Sequence, residues 1–412
     1  MNLAIDSEQL VAEIEALAAI SEAEAPAITR VVFTPADLKA RAWVKDRCRA
    51  AGLDVREDAV GNTFARWNGS DPAAPSVGTG SHIDAIPNAG KYDGVVGVLG
   101  GLEAIRALQR SGFRPKHSVE LLVFTSEEPT RFGVGCIGSR LISGGLQVEG
   151  ARKLTDANGE SLDAVRRQAG FRGGLETVPL HAGHYKAFVE LHIEQGPLLE
   201  REQIDLGVVT SIAAPSSARI SVEGAGGHAG GMLMPDRRDA LCAAAELILA
   251  IEAAARASGS ADTVATVGMC EVFPGAVNSI PSRARLSLDL RDTHLPRRDS
   301  VMRKIESTAR KIAGNRNVSI AIEMLNADAP AECAPLVIEA LSEACRTHGF
   351  SFRPMVSRAY HDSLFMSRIA PVAMLFIPCR NGYSHRPDEY ASPRHIAQGT
   401  LVLAETLARL SS

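Results

Sequence analysis

The chain has 412 residues, enough for two or three domains of ordinary size. Hydrophobic residues make up 45% of it and charged residues 22%, so it can bury a substantial core, and intrinsic disorder is excluded. Its 44 lysines and arginines against 48 aspartates and glutamates give a formal net charge of -4, which argues against a general nucleic-acid or anionic-membrane binder.

The cysteines and the N-terminus indicate the compartment. The seven cysteines are odd in number and scattered, so a disulfide framework is not expected and a reducing environment fits. The N-terminus is acidic where a secretory signal needs basic residues, and no apolar run reaches the ~18 residues of a membrane span. We therefore expect a cytoplasmic protein that binds neither nucleic acid nor membrane.

The first part of the chain predicts two helices and a hairpin. Residues 10–17 repeat apolar side chains at helical spacing. Residues 34–52 begin like a capping box with proline in the first turn and end at a glycine, which predicts a second helix. Alternation in residues 53–67, around Gly61-Asn62, indicates a hairpin.

Short apolar strands then alternate with helices, which predicts an α/β domain with a largely parallel central sheet. The strands fall at residues 77–80, 119–124 and 187–191, with a helix at 94–108. Functional sites in such sheets lie beyond the carboxyl ends of the strands. Three of these ends carry polar pairs: His82 and Asp84, Glu127 and Glu128, and His192 and Glu194.

A loop of small residues near 210–217 marks a change in organisation. The strands and helices between residues 218 and about 325 are typical of a compact α+β sandwich, and the chain after 331 returns to long helices and an apolar strand. We predict a catalytic domain formed by residues 1–212 and 330–412. An inserted domain, residues 213–329, would split it in sequence.

Imidazole and carboxylate groups without cysteine form a ligand set that suits zinc or manganese, and ligand type does not separate the two ions. Asp84 lies on the same side of an extended segment as His82 and could fix its ring from behind. Each cluster alone also fits a structural polar pair or a solvated helix start. Adjacent carboxylates, however, repel at a strand end unless a cation or proton offsets them. Together the clusters predict a metal site.

Four stretches carry a family resemblance. They are residues 80–84 (GSHID), 90–94 (GKYDG), 124–132 (FTSEEPTRF) and 191–197 (LHIEQGP). They resemble the M20 metallopeptidase superfamily, specifically its amidase branch of N-carbamoyl-L-amino-acid hydrolases, allantoate amidohydrolases and ureidoglycolate amidohydrolases. The resemblance spans nearly the whole chain, and its amidase-type stretch at 191–197 disfavours an aminopeptidase.

The resemblance implies a site for two divalent metal ions, manganese or zinc. Glu127 would be the general base that moves a proton from water to the leaving nitrogen. The peptide bond after Asp93 would be cis. The expected ligands are His82 and His192 for one ion and Glu128 and His385 for the other, with Asp93 bridging them.

The resemblance also makes the inserted domain a dimerisation or lid domain of a homodimer. His228, Asn278 and Arg291 would reach the active site of the neighbouring subunit, while Gln195 would contact substrate from the catalytic domain. Arg291 suits a substrate carboxylate as a bidentate donor. Its simpler role would be to pair with Asp289 or Asp292.

Residues 357–362 bear on the substrate. Carbamoylases and allantoate enzymes usually have SGAGHD at this place, whereas this chain has SRAYHD. Arg358 and Tyr360 thus replace glycines, which adds bulk and a hydroxyl beside His361 and resembles ureidoglycolate amidohydrolases. Tyr360 and His361 are therefore candidate substrate-binding residues, although Tyr360 could simply fill space.

The leading hypothesis is hydrolysis of ureidoglycolate to glyoxylate, carbon dioxide and ammonia. An N-carbamoyl-L-amino-acid hydrolase or an allantoate amidohydrolase is the alternative within the same chemistry. A non-catalytic, dimeric relative that binds ureido compounds is the alternative of a different class. The presence of all five expected ligands and of Glu127 speaks against that last possibility.

Overall fold

The computed structural model describes residues 3–412, which form an α/β protein. Its helices are α1 (Ser7–Ala18), α2 (Pro35–Ala50), α3 (Val95–Arg110), α4 (Ile137–Ile142), α5 (Val148–Arg152), α6 (Leu162–Gln168), α7 (Leu198–Glu202), α8 (Ala240–Arg256), α9 (Leu295–Arg316), α10 (Pro335–Thr347), α11 (Asp362–Met366) and α12 (Pro393–Ser411). Among the residues described, no helix is both long enough and apolar enough to span a bilayer.

The strands are β1 (Ile28–Arg30), β2 (Asp54–Glu57), β3 (Thr63–Trp67), β4 (Ser76–His82), β5 (Ala85–Ala89), β6 (Val119–Phe124), β7 (Tyr185–Ile193), β8 (Leu206–Ile212), β9 (Ala214–Glu223), β10 (Gly227–His228), β11 (Val264–Phe273), β12 (Ser279–Ile280), β13 (Arg283–Asp292), β14 (Ser319–Ala327), β15 (Ala331–Glu332), β16 (Phe352–Ser357) and β17 (Val372–Ile377). Short 3₁₀ turns occur at Leu175–Thr177, Met234–Asp236 and Arg380–Gly382.

The chain divides into two compact units. The first contains the described residues up to Thr210 together with Cys333–Ser357 and His361–Ser412. The second contains Ser211–Glu332 and, unexpectedly, the three residues Arg358–Tyr360. The predicted insertion, residues 213–329, lies within the second unit.

The first unit is built on a nine-stranded sheet with strand order β15-β8-β17-β7-β4-β6-β3-β2, to which β16 adds by pairing with β8. The four central strands β17, β7, β4 and β6 run parallel. The outer pairs are antiparallel, so the sheet is mixed and the prediction of a mostly parallel sheet was too simple. The β2–β3 connection is short, and such a connection can only reverse the strand direction.

Helix α3 lies very close to the central strands. A methyl group at Gly97 would be 2.4 Å from the carbonyl oxygen of Leu191 in β7 and 2.7 Å from Cβ of Ser81 in β4. Glycine at this position therefore permits the close approach of helix and sheet. The approach places the start of α3, and the loop before it, beside the ends of the central strands.

The second unit contains an antiparallel four-stranded sheet in the order β11-β13-β9-β14. Helices α8 and α9 supply apolar side chains that pack with those of the sheet in one core. Strand β13 alternates between buried and more exposed residues, as expected for a sheet with one covered face. The α+β sandwich predicted from the sequence is therefore present.

Candidate metal centre

The carboxyl ends of three parallel strands bring together polar residues that are far apart in sequence. His82 is the last residue of β4, and His192 is the penultimate residue of β7. Glu127 and Glu128 follow the end of β6 after two residues. Because parallel strands end at the same edge of a sheet, their polar side chains meet there.

Asp93, in the loop before α3, lies at the centre of this group. Its Oδ1 is 3.1 Å from Nε2 of His192 and 3.7 Å from Nε2 of His82. Its Oδ2 is 3.3 Å from Nε2 of His385, which in turn lies 3.2 Å from Oε1 of Glu128.

Among the described residues, three groups of three side chains could each hold a metal ion, and two of these groups share Asp93. The two that share it are His82, Asp93 and His192, and Asp93, Glu128 and His385, while the third is Glu190, His192 and His361. The donors are imidazole nitrogens and carboxylate oxygens, which fit zinc or manganese. The five residues of the two groups that share Asp93 are those of the predicted ligand set, and their role as ligands stays a prediction.

The peptide bond after Asp93 is trans, so the expectation of a cis bond was wrong; among the described residues, cis bonds precede Pro26 and Pro274. Gly94 makes the turn with φ 67°, a conformation that glycine adopts readily. A side chain at Gly94 would also meet the ring of His82, since Cβ would lie 2.5 Å from its Nε2.

Glu127, the expected general base, is buried beside the first of these groups. Its Oε2 lies 3.7 Å from Nε2 of His82, and its Oε1 accepts a hydrogen bond from the thiol of Cys136 at 3.4 Å. One carboxylate oxygen of Glu127 therefore faces the candidate ligands, while the other is held by the Cys136 thiol.

Asp84 acts differently from the prediction. Nδ1 of His82 lies 3.0 Å from the backbone oxygen of Asp84, whereas the Asp84 carboxylate is 3.8 Å away. That carboxylate instead accepts the backbone N–H groups of Glu127 and Glu128 at 3.2 and 3.1 Å. Asp84 thus orients the ring through its carbonyl and the two glutamates through its side chain.

The electrostatics of the site favour positive charge among its carboxylates. Burial lowers the pKa of His82, but Glu127 and other carboxylates outweigh it and leave that pKa well above its ordinary value. Hydrogen bonds to Asp93 and Glu128 raise the pKa of His385 to about 11. Burial raises the pKa of Glu127 well above its usual range. Protons thus favour sites where a divalent ion would neutralise the same charge.

Gln195 and His361 contact the candidate ligands. Nε2 of Gln195 donates to Oδ2 of Asp93 at 2.7 Å, and its Oε1 is buried without a hydrogen-bond partner among the described residues. The His361 ring lies 4.5 Å from the His192 ring, centroid to centroid, and its Nε2 is 3.0 Å from Oγ of Ser357. Both residues therefore belong to the surroundings of the site.

His228 and Asn278 lie together in the second unit. Strand β10 (Gly227–His228) pairs with β12 (Ser279–Ile280), and the backbone oxygen of Asn278 accepts the N–H of Ala229 at 2.9 Å. The side chain of His228 is exposed, and its Nδ1 accepts a backbone N–H at 3.2 Å. The structure thus places two of the three predicted lid residues side by side.

Arg291 and Tyr360 also lie in the second unit. Nε and Nη2 of Arg291 donate to the two oxygens of Asp289 at 2.8 and 3.0 Å, which is the simpler pairing foreseen from the sequence. The Arg291 guanidinium carbon is 5.4 Å from the Tyr360 ring centroid. Arg291 therefore shows bidentate carboxylate geometry within its own unit.

Two buried glutamates near the site were given no role by the sequence reasoning, although Glu190 stands in the cluster that contains His192. Glu190, in β7, accepts hydrogen bonds from the hydroxyls of Ser81 and Ser363, each at 2.7 Å. A charged residue inside an apolar strand was the available signal. Glu389 contacts the Asp93 loop, and only its position four residues after His385 pointed to it.

Comparison with known proteins gives the family. The model of peptidase family M20/M25/M40 matches residues 78–409, well over half of the chain. The chain belongs to this family. The M20 protein is 52% identical to the ureidoglycolate hydrolase of Arabidopsis thaliana over 100% of this chain and 88% of that relative. It is 36% identical to the N-carbamoyl-L-amino-acid amidohydrolase of a Pseudomonas species, over 99% of both chains.

A solved structure gives the same result for the fold. The crystal structure of AtUAH in complex with glyoxylate matches the M20 protein with a TM-score of 0.91 at 52% identity, covering 99% of this chain and 98% of the other. The predicted membership of the amidase branch of the M20 family is confirmed, as is the α/β fold class.

Proposed function

We propose that this M20 protein hydrolyses ureidoglycolate to glyoxylate, carbon dioxide and two molecules of ammonia. Its family and its relatives identify it as an amidohydrolase. The observation that supports ureidoglycolate as the substrate is the 52% identity, along the entire chain, to a ureidoglycolate hydrolase. The 36% identity to a carbamoylase keeps N-carbamoyl amino acids as the second candidate substrates.

The proposed cofactors are two divalent ions, manganese or zinc, held by the two groups that share Asp93. Such ions would supply Lewis-acid activation of the attacking water and of the ureido carbonyl. The donor set fits them, since histidines and carboxylates converge within hydrogen-bond distance and the surplus of carboxylates draws protons.

Glu127 is the proposed general base. Its Oε2 faces His82, so it can take a proton from the attacking water on the ligand side. Water adds to the ureido carbonyl carbon, the bond from that carbon to the terminal nitrogen breaks, and Glu127 returns the proton to this nitrogen, which leaves as the first ammonia. The carbamate left by this cleavage loses carbon dioxide, and the resulting amino alcohol releases the second ammonia to give glyoxylate.

Recognition of the substrate carboxylate is assigned to Arg291 of a partner subunit in a homodimer, together with His228 and Asn278. Arg291 already donates two hydrogen bonds to the carboxylate of Asp289 and would exchange that carboxylate for the substrate's. The proposed compartment is the cytoplasm, where the free thiols of the chain would stay reduced.

A substrate panel tests the proposal. The metal-loaded enzyme is assayed for ammonia release from ureidoglycolate, allantoate and several N-carbamoyl-L-amino acids. We expect the highest kcat/KM on ureidoglycolate. A higher value on allantoate or on an N-carbamoyl amino acid would reassign the substrate within the same chemistry. No turnover of any of them by the metal-loaded protein would favour a binding relative.

Variants of Tyr360, assayed on the same substrate panel, test which residue sets the specificity. Tyr360→Gly restores the residue that carbamoylases usually carry, so the ratio of kcat/KM values should shift toward larger substrates by roughly tenfold or more. Tyr360→Phe removes only the hydroxyl and separates its hydrogen bonding from its bulk. Unchanged ratios in both variants would remove Tyr360 from the specificity argument.

A further inference from the structure

We propose that Glu389 is a positioning residue at the metal centre. It would hold the Asp93 loop (residues 90–94) against the His385 loop (residues 383–392), to which Glu389 itself belongs. The inference rests on the proposed metal site, in which Asp93 and His385 are ligands. It assigns a role to a buried carboxylate that belongs to none of the three groups that could hold a metal ion.

The first contact of Glu389 is with the backbone of the Asp93 loop. Its Oε1 accepts the N–H groups of Tyr92 and Asp93 at 2.8 and 3.1 Å. The Glu389 side chain is only 4% exposed, so water does not compete effectively for these hydrogen bonds. These hydrogen bonds fix the backbone at Asp93, the proposed shared ligand.

The second contact is with the residue before His385. Oγ of Ser384 lies 3.0 Å from Oε2 of Glu389 and 2.6 Å from Oδ2 of Asp93. His385 itself adopts a left-handed backbone conformation with φ 59°, which a non-glycine residue keeps only when its surroundings hold it. Glu389 thus links two ligand loops that are nearly 300 positions apart in sequence.

Gly90 gives independent support. A Cβ at Gly90 would lie 2.3 Å from Cβ of Glu389 and 2.5 Å from its Oε1, closer than real atoms pack. The backbone at position 90 therefore passes directly against the Glu389 side chain, which explains why a glycine opens the GKYDG stretch. The carboxylate and the glycine form one arrangement that sets the position of Asp93.

The expected consequence is specific to metal binding. Residues that orient metal ligands from behind typically change metal affinity by about 10–100-fold when they are removed. Glu389→Ala should lower the affinity for the ion held by Asp93, Glu128 and His385 more than the affinity for the ion held by His82 and His192. Glu389→Gln keeps an oxygen acceptor for the two backbone N–H groups, so it should retain most of the affinity.

The experiment measures metal content and affinity directly. Wild type and the variants Glu389→Ala, Glu389→Gln, Glu389→Asp and Gly90→Ala are stripped with a chelator and titrated with Mn²⁺ or Zn²⁺. Bound ions per subunit are then counted by elemental analysis. Asp388→Asn is the matched control, because this neighbouring carboxylate is exposed and pairs with Arg386. Thermal unfolding of the stripped proteins reports any general loss of stability.

We expect Glu389→Ala and Gly90→Ala to lose one ion preferentially, Glu389→Gln to stay near wild type, and Asp388→Asn to be unchanged. Glu389→Asp, one methylene shorter, cannot span both loops and should be intermediate, which keeps the test decisive if the alanine variant does not fold. Wild-type affinity for both ions in Glu389→Ala or Glu389→Asp would overturn the inference. Failure of the wild type to bind two ions would instead count against the proposed metal site.

Discussion

Asp93 is the residue that the two groups proposed to hold metal ions share. One of its oxygens faces His192 and the other faces His385. Burial raises the pKa of Asp93, but hydrogen bonds that it accepts from the three histidines, together with the charge of His192, outweigh burial and hold that pKa well below its usual range. A lowered pKa favours the ionised carboxylate, which is the form that the proposed role of a ligand shared by two cations requires.

Glu127→Gln should separate catalysis from metal binding. The amide cannot accept the proton, so kcat should fall by about 10²–10⁴-fold, the contribution typical of a general base. Because Glu127 is outside both metal-holding groups, metal content by elemental analysis should be unchanged. Glu128→Gln is the matched control and should lose metal as well as activity. Retained turnover in Glu127→Gln would exclude it as the base.

Metal stabilisation should depend on pH. The raised pKa values of His82 and His385 stabilise the metal-free fold below the ordinary histidine pKa, and this contribution is lost as pH rises toward their folded values. Protons also compete with metal for the same nitrogens. The gain in Tm on adding Mn²⁺ or Zn²⁺ to chelated protein should therefore be larger at pH 8 than at pH 6. An equal or smaller gain at pH 8 would contradict this.

At the scale of elements, the site is made by the close packing of α3 on β4 and β7. The strands carry His82 and His192, and the helix begins directly after the Asp93 loop. Three glycines of α3, at positions 97, 100 and 101, lie so close to neighbouring residues that an added methyl group would come within 3.0 Å of their atoms. The distance between helix and sheet therefore sets the distance between Asp93 and the two histidines.

Gly97→Ala should disturb this packing. Overpacking at such a contact costs about 1–3 kcal/mol of unfolding free energy, because the carbonyl of Leu191 cannot move aside easily. Gly314→Ala in α9 is the control, since nothing lies within 4 Å of the added methyl group there, and it should be neutral or stabilising by about 0.5–1 kcal/mol. Denaturant midpoints measure both variants. An equal effect of the two would refute close packing at Gly97.

At the scale of the whole molecule, the residues proposed for chemistry and those proposed for recognition lie in two different units. The metal-holding groups and Glu127 lie in the first, whereas His228, Asn278, Arg291 and Tyr360 lie in the second. The segment Arg358–Tyr360 is anchored in the second unit by an ion pair of Arg358 with Asp262 at 2.5 Å. The specificity candidate Tyr360 is thus grouped with Arg291 although it precedes His361 directly in sequence.

Subunit complementation tests whether the second unit serves a neighbouring active site. If His228 acts on the partner's site, Glu127→Gln and His228→Ala homodimers are both impaired, while their heterodimer has one complete site. An equal mixture after subunit exchange should recover roughly a quarter of wild-type kcat. The unmixed variants are the controls. Activity no higher than the average of the two would show that His228 acts within its own subunit, or in no site.

The sequence alone determined the fold class, the family and the residues of the candidate metal centre. Strand and helix periods are local properties of the chain, and His82, Glu127, Glu128 and His192 lie at or just after the ends of apolar strands, so they can be seen within short windows. Asp93 and His385 were indicated by the family resemblance. The same local information indicated that the middle of the chain forms an α+β sandwich. It also identified Glu127 beside Glu128, because adjacent carboxylates at a strand end need charge compensation.

The tertiary structure decided the contacts between distant segments. It alone revealed the antiparallel edges of the sheet, the grouping of Arg358–Tyr360 with the second unit, and the two-sided role of Asp84. It also brought Glu389 against the Asp93 loop, across nearly 300 positions of sequence. Such contacts depend on how elements pack in space, and no pattern within a single element specifies its partner across the fold.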